Sequence, residues 1–165
     1  MSSFKRRSIL MMAAGPLLLA GCGFTPVYGP NGSGHRLHGQ IAVDAPEDSD
    51  GFELVRQLEY RLGQPGLPRY GLSLGLITTE EGVALTSDNR TTRREVIGTA
   101  TYALRDLDSK AVVISGKVDS FTGYSTTGST VSELAAARDA RRRLMVILAD
   151  LITNRLLARA GDLPA

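Results

Sequence analysis

The sequence predicts an α+β fold in which two helices pack on one face of a four-stranded, mostly antiparallel sheet, in the order β-α-β-β-β-α. Three observations lead to this prediction. Apolar residues alternate with polar or small ones in segments 70–77, 95–106 and 111–124, which is the period of β-strands. Segments 50–62 and 130–160 instead repeat apolar residues at the three-to-four spacing of helices. Because the strands form a run flanked by helices, both helices are expected to cover the same sheet face.

A short strand and the first helix open the predicted fold. Ile41 and Val43 share one face of the strand. The helix is expected to begin at Asp50, because Asp50 and Glu53 form a capping arrangement ahead of an apolar stripe. Gly63 is expected to end it, since glycine readily adopts the left-handed conformation that often follows a helix. The apolar residues expected to face the core are Phe52, Val55, Leu58 and Leu62.

Three longer strands follow. The segment 79–92, between the first two of them, is polar and is expected to form a loop or a ragged hairpin. Asp108 and Ser109 have turn composition and join the last two strands into a hairpin. The sheet face expected beneath the helices carries Leu72, Leu74, Tyr102, Leu104, Ile114 and Val118.

The second helix is expected to begin with the capping box Thr130-Val131-Ser132-Glu133 and to end at Gly161. Its first half is rich in arginine, and Arg138, Arg141 and Arg142 share one face. This face either is simply solvated, balancing nearby acids, or binds an anionic partner, because guanidinium groups pair with phosphate in bidentate fashion. Further arginines stand where the second long strand begins: Arg90, Arg93 and Arg94.

The N-terminus carries the features of a lipoprotein signal. Basic residues at 5–7 precede an apolar run of about ten residues, which is too short to span ~30 Å of hydrocarbon. Leu19-Ala20-Gly21-Cys22 then forms a lipobox. It predicts cleavage before Cys22 and attachment of a diacylglycerol to the Cys22 sulfur, the alternative being an uncleaved anchor that contains a chance cysteine.

These features divide the chain into a signal peptide at 1–21, a lipidated Gly- and Pro-rich tether at 22–38, and a single α+β domain at 39–165. Cleavage would remove three of the 19 basic residues and none of the 17 acidic ones, so the formal charge would change from +2 to −1. A mature chain of this charge gives no support for nucleic acid as a partner.

No recognisable catalytic arrangement is present in the sequence. It contains neither a Gly-x-Ser-x-Gly motif nor a phosphate-binding loop of the G-x-x-x-x-G-K-[ST] type. The two histidines, His35 and His38, lie in or beside the tether with no cysteine or obvious carboxylate beside them. We therefore expect no metal site, no cofactor and no enzymatic activity.

Several short motifs resemble those of a known family. Cys22 is followed by Gly-Phe-Thr-Pro-Val-Tyr-Gly, and later motifs are Asp88-Asn89-Arg90, the segment 98–104 and Ser120-Phe121. Together with the order of elements, they resemble the alphaproteobacterial form of the lipopolysaccharide-assembly lipoprotein family (LptE, formerly RlpB). The resemblance covers the mature chain, which lacks the long polar C-terminal tail of enterobacterial members.

The resemblance implies an outer-membrane anchor facing the periplasm. It also implies that the protein sits in the lumen of a β-barrel lipopolysaccharide translocon (LptD-like), assists its assembly and binds lipopolysaccharide. The basic residues of the family that are tied to this binding correspond here to Arg90 and Arg138, with Arg93 or Arg94 as alternatives to Arg90.

Two other classes of function stay open. The chain could be an accessory lipoprotein of another envelope transporter or an activator of a periplasmic enzyme, because a small α+β domain does not fix function. A hydrolase is the third class, and it has the least support because the catalytic arrangement is missing.

Overall fold

The structure, a computed structural model, describes residues 29, 32–85 and 91–163. Its elements, in chain order, are β1 (Ile41–Val43), α1 (Ser49–Leu62), β2 (Tyr70–Leu85), β3 (Thr91–Asp106), β4 (Val112–Ser125) and α2 (Thr130–Ala158), with 3₁₀ turns at Ser33–Arg36 and Ala160–Asp162. The predicted α+β class and the order β-α-β-β-β-α are confirmed.

The four strands form one sheet in the order β1-β2-β3-β4. The short β1 pairs parallel with the start of β2, and the other two pairings are antiparallel, so the sheet is mostly antiparallel as predicted. The expectation of a loop at 79–92 is wrong, whereas that of a ragged hairpin is confirmed. Strand β2 continues to Leu85, β3 begins at Thr91, and the pairing shifts register after Gly82. Polar side chains are compatible with these strand ends because the hairpin extends beyond the core.

The helices cover the sheet face that the alternation predicted. Five of the six expected residues on it are buried, namely Leu72, Tyr102, Leu104, Ile114 and Val118, while Leu74 is half-buried. Gly98 lies on the same face, and a Cβ atom there would fall 2.9 Å from Cδ2 of Leu144. The missing side chain therefore lets α2 pack closely on β3.

The N-cap of helix α1 lies two residues before the expected Asp50. It is Asp48, whose side chain accepts a hydrogen bond from the backbone N–H of Gly51 at 2.6 Å. The capping role predicted for Asp50 is wrong, and its carboxylate instead pairs with Arg141 of α2 at 3.0 Å. Phe52 is 61% exposed, and Leu54 takes its place in the core. Gly63 ends the helix with a φ of 80°, as expected.

Helix α2 is capped by Ser129, whose Oγ accepts from the backbone N–H of Ser132, one residue before the predicted capping box. The helix ends at Ala158, and the predicted end at Gly161 falls in the 3₁₀ turn that follows. The two helices run in the same direction. Asp50 and Arg141 pair near one end, and Arg61 pairs with Asp150 further along both helices.

The compact domain begins at Ser33. Leu37 is fully buried in its core, and Nη1 of Arg36 donates to the backbone oxygen of Leu163 at 3.2 Å. Residues 33–38, which the sequence assigned to the tether, therefore belong to the packed domain, because Leu37 supplies an apolar side chain to the core. The lipobox and Cys22 lie outside the described residues, so lipidation stays a prediction. Within the residues described, no helix combines the length and apolar character needed to cross a bilayer.

Candidate functional site

Arginines concentrate at one end of the domain, where the β2–β3 hairpin, the end of β4 and the first half of α2 meet. We call this region the arginine end, and its members are Arg93, Arg94, Arg138, Arg141, Arg142 and Arg143. The neighbours Arg93 and Arg94 point to opposite sheet faces, because successive side chains of a strand alternate. The arginine end consequently has an inner part beneath the helices and an outer part that faces solvent.

The inner part is an ion network centred on Glu80. Its carboxylate accepts a hydrogen bond from the Tyr124 hydroxyl, one from Arg94 at 3.3 Å and one from Arg141 at 3.2 Å. Arg141 also donates to Asp50 at 3.0 Å. The network thus joins the hairpin, β4 and both helices.

Electrostatics favours the charged Glu80 carboxylate and Arg141 guanidinium of this network and the neutral hydroxyl of Tyr124. The hydrogen bond from Tyr124, assisted by both arginines, holds the pKa of Glu80 below its ordinary value against the effect of burial. Burial and the adjacent Glu80 carboxylate raise the pKa of Tyr124. Burial alone would lower the pKa of Arg141, but the carboxylates of Asp50 and Glu80 raise it overall. Arg94, one of the candidate lipid-binding residues, is therefore engaged with a carboxylate of its own chain.

The outer part contains Arg93 and Arg143, which meet at Gly123 of β4. A Cβ atom at Gly123 would lie 2.7 Å from Nη2 of Arg93, so this exposed guanidinium rests on the bare backbone of β4. From the helix, Nη2 of Arg143 donates to the backbone oxygen of Gly123 at 3.2 Å. The absence of a side chain at Gly123 brings the two cationic groups to the same strand.

A single carboxylate serves two arginines of α2. Asp139 accepts from Arg142 at 3.0 Å and, through its other oxygen, from Arg143. One positive charge of this trio is thus not neutralised within it. These helical pairs are exposed, and pairs of this kind contribute only about 0.3–0.5 kcal/mol each, so both guanidinium groups can exchange partners at little cost.

Arg138 is exposed and, among the residues the structure describes, has no hydrogen bond or ion pair. Arg93 likewise makes no ion pair within the described part of the chain. Arg90 lies outside the described residues, so its predicted role is untested. Arg93 and Arg138 are therefore available to anions without the loss of an ion pair to a described residue, whereas Arg142 and Arg143 become available by exchange with Asp139.

The sequence drew attention to the whole arginine cluster but placed only Arg138 of the helix among the candidate site residues. Helical spacing does not group Arg143 with Arg138 and Arg142, because its position points to another face of the helix. The contact with Gly123 depends on how α2 crosses β4, which spacing along the chain does not reveal. The ion pairs of Arg142 and Arg143 do have a sequence signal. Asp139 lies three residues before Arg142 and four before Arg143, which is the spacing of helical ion pairs.

In the described part of the chain, neither the histidines nor the carboxylates form a grouping suited to a metal ion. Across residues 32–85 and 91–163, no three His, Cys, Asp or Glu side chains are arranged so that they could hold a metal ion. His38 lies instead against Gly63, where a Cβ atom would meet its ring at 3.0 Å. The chemistry that the described site offers is recognition of negative charge.

Comparisons with known proteins agree with this fold. The sequence model of a family described as lipopolysaccharide-assembly, LptE, matches residues 39–156. A crystal structure of a candidate lipoprotein from Caulobacter crescentus CB15 is similar, with 27% identity, a TM-score of 0.65, and coverage of 81% of this chain and 98% of that chain.

Two further solved structures share the fold. Rare lipoprotein B from Shewanella oneidensis has 9% identity and a TM-score of 0.58, covering 74% of this chain and 96% of its own. A minor lipoprotein from Acinetobacter baumannii has 19% identity and a TM-score of 0.56, covering 72% and 89%. Among curated proteins, none matches the chain.

Proposed function

The chain belongs to the lipopolysaccharide-assembly (LptE) family, and on this premise we propose that it is an outer-membrane lipoprotein of lipopolysaccharide transport. In this proposal it is anchored through Cys22 at the periplasmic face, occupies the lumen of a β-barrel translocon (LptD-like) and binds lipopolysaccharide on its way to the outer leaflet. The work is steric and electrostatic and needs no covalent step.

The observation that carries the proposal is a pair of exposed arginines, Arg93 and Arg138, that make no ion pair with any described residue of a chain of this family. Lipopolysaccharide presents phosphate groups on its lipid and core sugars. Guanidinium groups recognise phosphate through two parallel N–H···O contacts. Two further arginines of α2, Arg142 and Arg143, share the carboxylate of Asp139 and can add to the binding of phosphate.

Several arginines must act together for useful affinity. An exposed ion pair contributes only about 0–1 kcal/mol, so one contact changes binding by less than about tenfold. Two to four such contacts on one multiply phosphorylated ligand would add at most about 2–4 kcal/mol before the cost of ordering the side chains. This range suits a protein that passes its ligand on.

The proposed role as a plug in the barrel lumen is supported by contacts that tie the elements of the domain together. Both helices, the hairpin and β4 are joined by the network around Glu80, so the arginine end keeps its shape while its outer groups stay in solvent. A plug must fill a pore without deforming. The lipid at Cys22 would hold this body at the membrane surface.

The binding step is tested with the double variant Arg93→Glu/Arg138→Glu and immobilised lipopolysaccharide. We expect affinity to fall at least tenfold, because two attractive contacts become repulsive. Arg155→Glu is the matched control, since Arg155 is also exposed on α2 but lies near its other end. Equal binding by the folded double variant and the control would remove Arg93 and Arg138 from the lipid site.

The partner is tested by mild detergent extraction of the lipidated protein followed by identification of what co-purifies. A large β-barrel is expected. Recovery of an inner-membrane transporter or a peptidoglycan synthase instead would support the accessory-lipoprotein function and contradict the plug. Mass spectrometry of the same sample tests the anchor, because an unmodified Cys22 or an intact Met1 excludes it.

A further inference from the structure

Strand β2 pairs with β3 along one edge, but over most of its length its other edge has no partner strand within the described chain. Strand β1 covers only Tyr70–Leu72, and from Ser73 onward no strand of the described chain pairs with β2 on that side. An open strand edge is a template for another strand, so proteins usually protect it with lysine, proline or a covering element. The segment 73–82 contains no lysine, arginine or proline.

Its free hydrogen-bonding groups can be assigned to particular residues. The backbone N–H of Tyr70 donates to Gln40, and the backbone oxygen of Leu72 accepts from Asp44. Even-numbered residues of β2 therefore direct their backbone groups toward the β1 side, and alternation extends this along the strand. The residues with backbone groups on the open edge are Leu74, Leu76, Thr78 and Glu80. This stretch is about 20 Å long, which suits an added strand of about six residues.

A groove of about 390 Å³ runs along the beginning of this edge. On the inner side its apolar lining includes the half-buried Leu74 and Leu76 of β2 and the almost fully buried Val55 of α1. On the outer side it reaches Thr99 and Thr101 across Gly75, which has no side chain to close it. An occupant in the groove would therefore meet an apolar wall on one side and a hydroxyl-lined wall on the other, which matches the two faces of a strand with alternating apolar and polar side chains.

Charge decides between possible occupants. The loop 44–48 at the mouth of the groove carries Asp44, Glu47 and Asp48. Asp44 pairs with Arg105 and Asp48 caps α1, whereas Glu47 is exposed at the rim. A second copy of this chain, paired antiparallel along the same edge, would bring its own acidic loop close to Glu81. Repulsion between these acidic groups disfavours that dimer. The negative charge of Glu47 at the rim instead favours a strand that carries a lysine or arginine.

An acyl chain fits the groove less well than a polypeptide does. The open edge presents N–H and C=O groups that need hydrogen-bond partners, and hydrocarbon would leave them unsatisfied at a cost of about 1–3 kcal/mol each. A strand satisfies them through the main chain and gains selectivity from its alternate side chains.

We propose that the open edge of β2 binds an extended segment of the partner barrel polypeptide by strand addition. The segment alternates apolar and polar residues and places a basic side chain beside Glu47. This inference rests on the proposed function for the identity of the partner. The β-edge contact is separate from the arginine end, so lipid binding and partner binding use different surfaces.

A pair of edge prolines tests the proposal in the full lipidated protein. Thr78→Pro removes a donor that points to the open β2 edge and pairs with nothing in the described domain. The control is Ser115→Pro on β4. Thr126 donates toward β3, so the odd-numbered residues of β4 direct their groups to the opposite open edge. We expect Thr78→Pro to reduce the co-purified barrel at least tenfold and Ser115→Pro to leave it within twofold.

These outcomes separate the two proposals. If the wild-type protein recovers no barrel, the proposed function fails. If it recovers the barrel and a folded Thr78→Pro variant recovers as much, strand addition at β2 is wrong. The folded state is checked by circular dichroism.

A photo-crosslinking series keeps the inference testable even if the proline variant does not fold. A crosslinkable residue is placed in turn at Ile77, Thr79 and Glu81, three exposed outer-face positions spaced by two along β2. Strand addition predicts that the crosslinked barrel residues also move by two at each step, within one short segment. Crosslinks that scatter over the barrel, or that reach lipid or a second copy of this chain, would overturn the proposal.

Discussion

Replacement of Glu80 by glutamine tests whether the inner network holds the hairpin to the helices. Glutamine keeps the size of the side chain but removes its charge. The Tyr124 hydroxyl, Arg94 and Arg141 would then face a neutral amide, while Arg141 keeps its contact with Asp50. We expect the folded state to lose stability without changing its architecture.

The size of the loss follows from the burial of each contact. Hydrogen bonds to charged groups contribute about 1.5–3 kcal/mol when buried. The Glu80 side chain is 22% exposed, and that of Arg94 is 45% exposed, which reduces the share of the Arg94 contact to about 0–1 kcal/mol. We therefore expect Glu80→Gln to lower the free energy of unfolding by about 2 kcal/mol at pH 7. For a domain of this size, that lowers Tm by roughly 6–10 °C.

The loss should depend on pH in a defined direction. The folded-state pKa of Glu80 is lowered from the ordinary value of 4.5, so the unfolded chain takes up this proton first as the pH falls. The stabilisation by Glu80 is complete above about pH 4.5 and disappears as the pH falls through the lowered folded value. The difference between wild type and Glu80→Gln should therefore shrink in acid.

Urea unfolding followed by circular dichroism, at pH 7 and at a series of lower pH values, measures both effects. Glu81→Gln is the matched control, because Glu81 is the exposed neighbour on the outer face. If both variants unfold at the same urea concentration at pH 7, the Glu80 network does not stabilise the fold. If the difference in stability between wild type and Glu80→Gln stays constant as the pH falls, the charge of Glu80 is not the cause of the difference.

Two further predictions concern the contact between α2 and the sheet. Thr122→Val removes a buried hydrogen bond of 2.7 Å to the backbone oxygen of Ala140 and should lower the free energy of unfolding in urea by about 1–2 kcal/mol. Thr153→Val should be neutral or stabilising, because Oγ1 of Thr153 is buried and has no partner among the described residues. Equal losses in the two variants would contradict this. Gly98→Ala should cost about 1–3 kcal/mol, because the added Cβ lies 2.9 Å from Leu144, and an unchanged unfolding midpoint would show that α2 shifts freely.

Much of the fold follows from local patterns in the sequence. Alternation located the strands and the buried face, because a sheet covered on one side must bury every second residue. Helical spacing and Gly63 located α1 and its end. The exposed Phe52 was assigned wrongly because Leu54 and Val55 are adjacent, so two apolar stripes were possible and only the packing of α1 selects one.

The arginine end was predictable only in part. The sequence singled out Arg93, Arg94 and Arg138 by residue type, but strand alternation decides that Arg94 faces Glu80 and Arg93 faces solvent. That decision needed the register of a hairpin whose polar ends carry little signal. The pairing of Arg141 with Asp50 joins residues 91 positions apart, and no spacing rule within one element predicts it.

The bond between Arg36 and the Leu163 backbone oxygen spans 127 residues. Leu37 and Leu163 both lie in the central core, although they stand near opposite ends of the described sequence. A chain delivered from its N-terminus cannot complete this part of the core until the turn at Ala160–Asp162 and Leu163 have arrived. A chain interrupted before this turn would leave the apolar side chain of Leu37 accessible to chaperones or proteases.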